Sequence, residues 1–286
     1  MSIIKISENY IILNLIGKGA FGKVYKAQNK TSKEFVAIKI VSLEETNVMN
    51  IKEELEKEIK IMKAFNYSPN SVKLYDVFED NNNKYIIMEL CDGDLLKYLN
   101  KSKNGFNIFE IKIIMSQINN ILKELRKKDM VHNDIRLENI LVKFRDNSKE
   151  FEVKLIDYGK GRLLSNEKDL RDNEWGITPY NEGKKDNIKM LIKLDLLMIG
   201  IEIYRMIFNE NYKAFEDMIE DINNSVEDKD LKDLLNKLLV EDYEDRIDWE
   251  EYFNHNFFKD KNLEFSKVEN IIKKNKPNLI YFNKIM

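Results

Sequence analysis

The chain has 286 residues, of which 43% are hydrophobic, 10% aromatic and 34% charged. That apolar share offsets chain entropy over one large domain or two lobes sharing a cleft, which excludes extensive disorder. The 47 basic residues against 50 acidic ones leave a formal charge of −3, so nothing in the whole-chain balance points to a nucleic-acid or membrane-surface binder. A single cysteine, Cys91, rules out an internal disulfide and a cysteine-based zinc cage, and suits a reducing compartment. With only His132 and His255, histidine metal sites are disfavoured too. The opening MSIIKISENYIILNLIG is interrupted by Lys5, Glu8 and Asn9 before a secretory core or membrane span is long enough. A soluble intracellular protein, cytoplasmic or nuclear, is expected.

Residues 10–43 alternate β-rich runs (YIILNLI, KVYKAQ, FVAIKIV) with the turn clusters KGAFG and NKTSKE, which predicts an antiparallel meander. IKEELEKEIKIMKAF then places Leu55, Ile59 and Met62 on one helical face. Two strands follow, VKLYDVFED and KYIIMEL, joined by the polar turn NNN. Beyond Gly93 long helical patterns take over: LLKYLNKS, FEIKIIMSQINNILKELRKK, LIKLDLLMIGIEIYRMIF and LKDLLNKLLV. Between them lie HNDIRLEN, ILVKF and KLIDYG, short strands and loops suited to a cleft floor. The expectation is an α+β architecture of two lobes. A lead occupies residues 1–9, a small sheet with one helix 10–90, a mainly helical lobe 91–258 and a tail 259–286. The tail's Ile271, Ile272, Leu279, Ile280 and Phe282 are expected to pack back on the body.

Each candidate functional group has a plainer explanation beside it. GKGAFGKV at 17–24 could offer backbone N–H groups to phosphate oxygens, yet a spaced glycine triplet is common by chance. A dinucleotide turn would require a helix directly after it, whereas a Val24–Tyr25 strand follows. Lys39 closes the apolar strand VAIK and could be a surface lysine with a buried stem. Glu58 could pair with it, although Glu53, Glu54 and Glu56 crowd the same helix. In HNDIRLEN, Asp134 could take the proton of an attacking hydroxyl and Asn139 could offer an oxygen to a cation. Both residue types also simply close turns, and the same holds for Asp157 in KLIDYG, which could otherwise bind Mg²⁺.

The order of these parts is more specific than any one of them: glycine loop, strand lysine, helix glutamate, HxDxxxxN and DxG is what phosphoryl transfer needs. In that order the chain resembles the eukaryotic-type protein kinase family over roughly residues 10 to 258. The resemblance implies ATP and Mg²⁺ as cofactors. Gly17, Gly19 and Gly22 would cover the phosphates, Val24 and Ala37 would enclose the adenine, and Ile16 and Leu141 would join the nucleotide-binding set. Lys39 would hold the α and β phosphates with Glu58 as its partner. Met88 would be the gatekeeper, the main chain of Glu89 and Cys91 would bind adenine, and Asp94 would meet the ribose, although the family more often has an extra residue there. Asp134 resembles the catalytic base, Arg136 the basic residue that follows it, and Asn139 with Asp157 the metal ligands. Met62, Leu74, His132 and Tyr158 match the stack that links the lobes, Asp195 the buried aspartate anchoring it, and Arg246 with HNFF the closing helices.

Several positions depart from the family pattern. Arg136 stands where lysine is usual and Leu137 where proline is, which keeps the charge and changes its reach. Tyr158 replaces the common phenylalanine and brings a hydroxyl that needs a partner. The end of the activation segment is not legible in WGITPYNEGKK, where Thr178–Pro179 and Glu182, a candidate partner for Arg246, sit closer together than in the family. The favoured reading is a monomeric kinase acting on Ser or Thr hydroxyls of protein substrates, without nucleic-acid or membrane partners. Dual specificity, a non-catalytic scaffold of the same fold, and a small-molecule kinase are the alternatives. Asn133 stands where the family has an arginine that pairs with a phosphorylated activation segment, and asparagine carries no such charge. Phosphatase-treated protein is therefore expected to keep its activity; inactivation reversed by rephosphorylation would refute this.

Overall fold

The computed structural model describes residues 6, 8–19, 22–43, 51–144, 151–164, 187–211 and 213–259. Strands β1 (Tyr10–Gly19), β2 (Gly22–Asn29), β3 (Phe35–Ser42), β4 (Leu74–Glu79) and β5 (Asn83–Glu89) form a five-stranded antiparallel sheet in the order β1-β2-β3-β5-β4. Helix α1 (Ile51–Ala64) lies between β3 and β4 in sequence. The larger lobe is mainly helical: α2 (Leu95–Leu99), α3 (Ile108–Lys127), α4 (Asn187–Phe208), α5 (Phe215–Ser225), α6 (Lys229–Leu238) and α7 (Trp249–Phe253). Small strands lie between these helices. β6 (Gly93–Asp94), β8 (Ile140–Phe144) and β9 (Phe151–Leu155) pair in the order β6-β8-β9, and β7 (Met130–Val131) pairs with β10 (Arg162–Leu163).

The near-continuous apolar run of β3 reflects a strand covered on both faces. Side chains alternate between the two faces of a strand. Val36 and Ile38 join Ala27, Tyr85 and Ile87 in an outer cluster, whereas Val41 belongs to the main core with Leu55, Ile59 and Met62 of α1. Lys39 lies two residues from Val41 and so shares the face that looks toward α1. The main core continues through α3, β8, β9, α4 and α6.

Capping explains where several helices begin. Asn107 opens α3 with a capping box: its Oδ1 accepts from the amides of Phe109 and Glu110 at 2.9 and 3.1 Å, and Glu110 Oε2 accepts from the Asn107 amide at 2.7 Å. Asp228 and Asp248 cap α6 and α7 through the amides of Leu231 and Glu251. Helix α4 is the most apolar of these elements, and no described helix is long and apolar enough to cross a membrane.

Helix α5 is absent from the elements expected from periodicity, and α7 falls within the closing helices that the resemblance implied between Arg246 and HNFF. In α5, Phe215, Met218, Ile219 and Ile222 recur at helical spacing and face the core, a stripe that the sequence does carry. Helix α7 has five residues, fewer than two turns of any period.

Asp195 of α4 fixes the loop that follows β7. Its buried carboxylate accepts from the amides of His132 at 2.8 Å and Asn133 at 2.6 Å. Burial pushes this carboxyl above the usual carboxylate range, opposed by the two amide hydrogen bonds that it accepts. Its removal would leave two buried donors unpaired, at about 1–3 kcal/mol each. We expect Asp195→Ala to lose about 3 kcal/mol of stability, read as a lower urea midpoint at constant m-value.

Candidate active site

Lys39 and Glu58 meet between the sheet and α1. The Lys39 ammonium lies 2.8 Å from Glu58 Oε1 and 2.7 Å from Oε2, with both side chains largely shielded from solvent. Among the acidic residues of α1, Glu58 is placed by its neighbours: it falls one turn from Leu55 and one turn from Met62, on the buried side, while Glu53 and Glu56 are exposed. A solvated helix face, the plainer explanation, is therefore set aside. A desolvated ion pair is a weak source of net stability, but it fixes a lysine head group in one place.

The second cluster is built on the HNDIRLEN loop. Asn139 donates through Nδ2 to the Asp134 carbonyl and to Asp134 Oδ2, both at 2.9 Å. The Ile156 amide donates to the Asn139 carbonyl at 2.9 Å, which brings Asp157, the next residue, beside this pair. Asp157 adopts the left-handed region with φ 64°, and its Oδ1 accepts from the Gly159 amide at 3.3 Å. Asn133 is also left-handed, with φ 56°, a conformation that Asn and Asp tolerate better than most residues. His132 supports the turn from within. Its Nδ1 accepts from the Asp134 amide at 3.3 Å, so the other ring nitrogen carries the proton and donates to the Ile156 carbonyl at 3.0 Å. The His132 ring lies 5.2 Å from that of Tyr158, and Met62 and Leu74 belong to the same core. The hydroxyl of Tyr158, for which the sequence demanded a partner, meets Ser71 Oγ at 3.0 Å.

At the glycine turn, Gly22 has φ 154°, and a Cβ there would stand 2.3 Å from the Ile40 carbonyl oxygen. This position is glycine for the fold's own sake. Gly17 and Gly19 differ, because a Cβ at either would find only ordinary van der Waals distances. Neither position therefore needs glycine for the packing of the described residues, although both pair in the β1–β2 ladder. Ile16, on β1, is exposed, and Val24 pairs across the sheet with both Gly17 and Lys39.

Along the connection between lobes, Ala37 pairs with Met88 and Val36 with Glu89. The Glu89 carboxylate is buried and bonded to Lys143 at 2.5 Å and Lys154 at 3.2 Å. Burial alone would raise its pKa, but these two lysines outweigh burial and hold it below the ordinary value. Only the main chain of Glu89 is thus left for a ligand. Asp94 caps α2 through the Lys97 amide at 2.9 Å and pairs with the Lys97 ammonium at 2.8 Å. Leu141 faces Asp94 across the β6–β8 pair.

Arg136 is engaged by a neighbour on its own loop. Its guanidinium forks onto Glu138, Nε to Oε2 at 3.1 Å and Nη2 to Oε1 at 2.6 Å. The cation in contact with Asp134 is Lys160, whose Nζ lies 2.9 Å from Asp134 Oδ1. The only signal for it in the sequence is its place directly after the Asp157–Gly159 turn. Arg246 donates to the carbonyls of Lys193, Val240 and Glu241. Thr178, Pro179, Glu182 and the tail after Lys259 lie outside the described residues.

This donor set suits a nucleotide carrying its own divalent cation. No cluster of three or more His, Cys, Asp or Glu side chains that could hold a metal occurs among the described residues. Mg²⁺ commonly takes one or two protein oxygens and completes its shell with phosphate and water. With Nδ2 committed to Asp134, Asn139 keeps its amide oxygen for such an ion, and Asp157 keeps its second carboxylate oxygen.

The model of the protein kinase domain matches residues 10–258. A calcium-dependent protein kinase 5 of Plasmodium falciparum is 33% identical over 269 residues, covering 85% of this chain and 44% of the relative. The serine/threonine-protein kinase atg1 of Dictyostelium discoideum is 34% identical over 265 residues, covering 86% and 39%. An Aurora kinase of Candida glabrata is 32% identical over 244 residues, covering 81% and 66%. The chain thus spans less than half the length of the first two.

Cys91 offers an independent check of this geometry. Burial, reinforced by the Glu89 charge, pushes its thiol up to about 12, so the thiolate that alkylating reagents attack is scarce at pH 8. Iodoacetamide should label Cys91 on the order of 100-fold more slowly than an unstructured cysteine peptide at pH 8, followed by intact mass. Labelling at the peptide's rate would place the thiol in solvent.

Proposed function

The chain belongs to the protein kinase family, and from that premise we propose that it moves the γ-phosphoryl group of ATP onto serine or threonine hydroxyls of protein substrates. The observation that carries this reading is the Lys39–Glu58 pair. Nothing in the packing of β3 requires a lysine at that point, and a cation held there suits a polyphosphate. The names of the relatives, one of them a serine/threonine-protein kinase, support the choice of acceptor, as does the basic residue before Glu138–Asn139.

The roles follow from where each group sits. Gly17 and Gly19 cover the phosphates, and Lys39 fixes them from one side. Main-chain groups of Glu89 and Cys91 meet the adenine base between Ala37, Val24 and Leu141, beside Met88. Asn139 and Asp157 hold Mg²⁺, which when bound neutralises charge on the phosphates. The acceptor hydroxyl forms its new bond to the γ-phosphorus while the bond to the bridging oxygen breaks and its electron pair leaves with ADP. Asp134, oriented by Asn139, takes the hydroxyl proton. We place the lobe boundary at residues 90 and 91, directly after β5.

The scaffold alternative would leave these groups without a task. Asp134, Asn139, Asp157, Lys39 and Glu58 are all present, and each is bonded in a way that orients it. The test is incorporation of radiolabelled phosphate from ATP into a generic acceptor protein. Asp134→Asn should lose activity by on the order of 10²–10⁴-fold. Equal incorporation by the wild type and the variant would remove the enzymatic assignment.

A further inference from the structure

We propose that Lys160 is the cation that accompanies the transferred phosphoryl group, in place of Arg136; the inference rests on the phosphotransferase reading above. Two observations carry it: Arg136 is held elsewhere, and Lys160 already touches the base.

Arg136 is the outer member of a cluster of four charges. Both of its forked bonds go to Glu138. Glu138 also lies 3.5 Å from Arg205, which donates to both carboxylate oxygens of Glu202 at 3.0 and 2.8 Å. Glu202 in turn accepts from the Leu137 amide at 2.9 Å. The cluster ties the loop to α4. Drawing Arg136 toward a phosphate would break a fork whose planar geometry matches its carboxylate partner, and would leave Glu138 with Arg205 alone.

Lys160 is placed differently. It ends the short turn Tyr158–Lys160, directly after Asp157. Its backbone is fixed on three sides: Asp157 caps the turn through Gly159, the Tyr158 ring is buried with its hydroxyl on Ser71, and Gly161 lies against its surroundings. A Cβ on Gly161 would stand 3.0 Å from the Tyr158 carbonyl oxygen and 3.3 Å from both Ile61 Cδ1 and the Val131 carbonyl oxygen. The side chain keeps 32% of its exposure, so its four-carbon stem can swing while its base stays fixed.

The chemistry gives that swing a cause. Before reaction, the ammonium is balanced by the Asp134 carboxylate at 2.9 Å. As the hydroxyl proton passes to Asp134, that carboxylate loses its charge. The oxygens of the phosphoryl group moving to the acceptor then offer the ammonium negative charge in its place. The interaction strengthens as transfer proceeds, which is the condition for lowering a barrier instead of merely tightening binding.

The test compares Lys160→Met, Lys160→Arg and Arg136→Met with wild type and Asp134→Asn in the full chain, measuring kcat and KM for ATP and for the acceptor protein. Lys160→Met should lose about 100-fold in kcat with KM for ATP within about threefold, and Lys160→Arg should recover at least about a tenth of wild-type kcat. Arg136→Met should lose at least about tenfold less than Lys160→Met. Lys160→Gln serves as the neutral variant if the methionine protein does not fold. Equal losses at Lys160 and Arg136 would overturn the inference, as would a Lys160→Met kcat within about twofold of wild type. A loss that arginine fails to recover, with both KM values raised, would mean a structural role and would also overturn it. A wild type no more active than Asp134→Asn would remove the phosphotransferase reading, and this inference with it.

Discussion

One buried carboxylate sets the geometry on which the rest depends. Asp195 accepts the amides of two consecutive residues, His132 and Asn133, and so anchors the chain where it enters a left-handed turn. Backbone groups buried without partners are costly, so the loop has few alternatives once α4 is in place. From that anchor His132 reaches the Ile156 carbonyl, Asn139 reaches Asp134, and the strand ahead of Asp157 is tied to the loop through Ile156. The candidate base and both candidate metal ligands are thereby tied to α4, the longest described helix of the larger lobe.

Charge is distributed unevenly around this anchor. The Arg136–Glu138–Arg205–Glu202 cluster has two charges of each sign. Glu89 is likewise answered by Lys143 and Lys154, and Lys154 also reaches the Pro69 carbonyl. Each network joins a segment bordering the cleft to an element behind it. Both act as braces, and neither leaves a free charge at the cleft wall. Among the candidate reacting groups, Lys39 pairs with Glu58 and Lys160 with Asp134.

Much of this could be read in the sequence, and what could not has physical reasons. The five strands of the first sheet announce themselves through period-two runs and turn clusters, and Leu55, Ile59 and Met62 mark the buried face of α1. The Lys39–Glu58 pairing could be inferred only from the order of motifs, since charge along α1 does not single out one glutamate. Tyr158 declared its need for a partner, but Ser71 stands 87 residues away, beyond any local pattern. Lys160 follows a glycine turn and belongs to no periodic element, so nothing local distinguishes it from a solvated lysine. Arg136 is legible only through its place in the motif, while its contact with Glu138, two residues on, follows no periodic pattern. Helix α5 was legible as well, through Phe215, Met218, Ile219 and Ile222 at helical spacing.

The turn that follows Asp157 is seated directly on α1. Ile61 of that helix packs at Gly161, and Lys57 Nζ reaches the Gly161 carbonyl at 3.4 Å. One helix therefore bears on both halves of the reaction centre, holding Glu58 against the strand lysine and supporting the backbone from which Lys160 springs. The two halves share a single mechanical mount. Displacing that mount would shift the Lys39–Glu58 pair and the ammonium beside Asp134 in the same movement, so neither end can be tuned without disturbing the other.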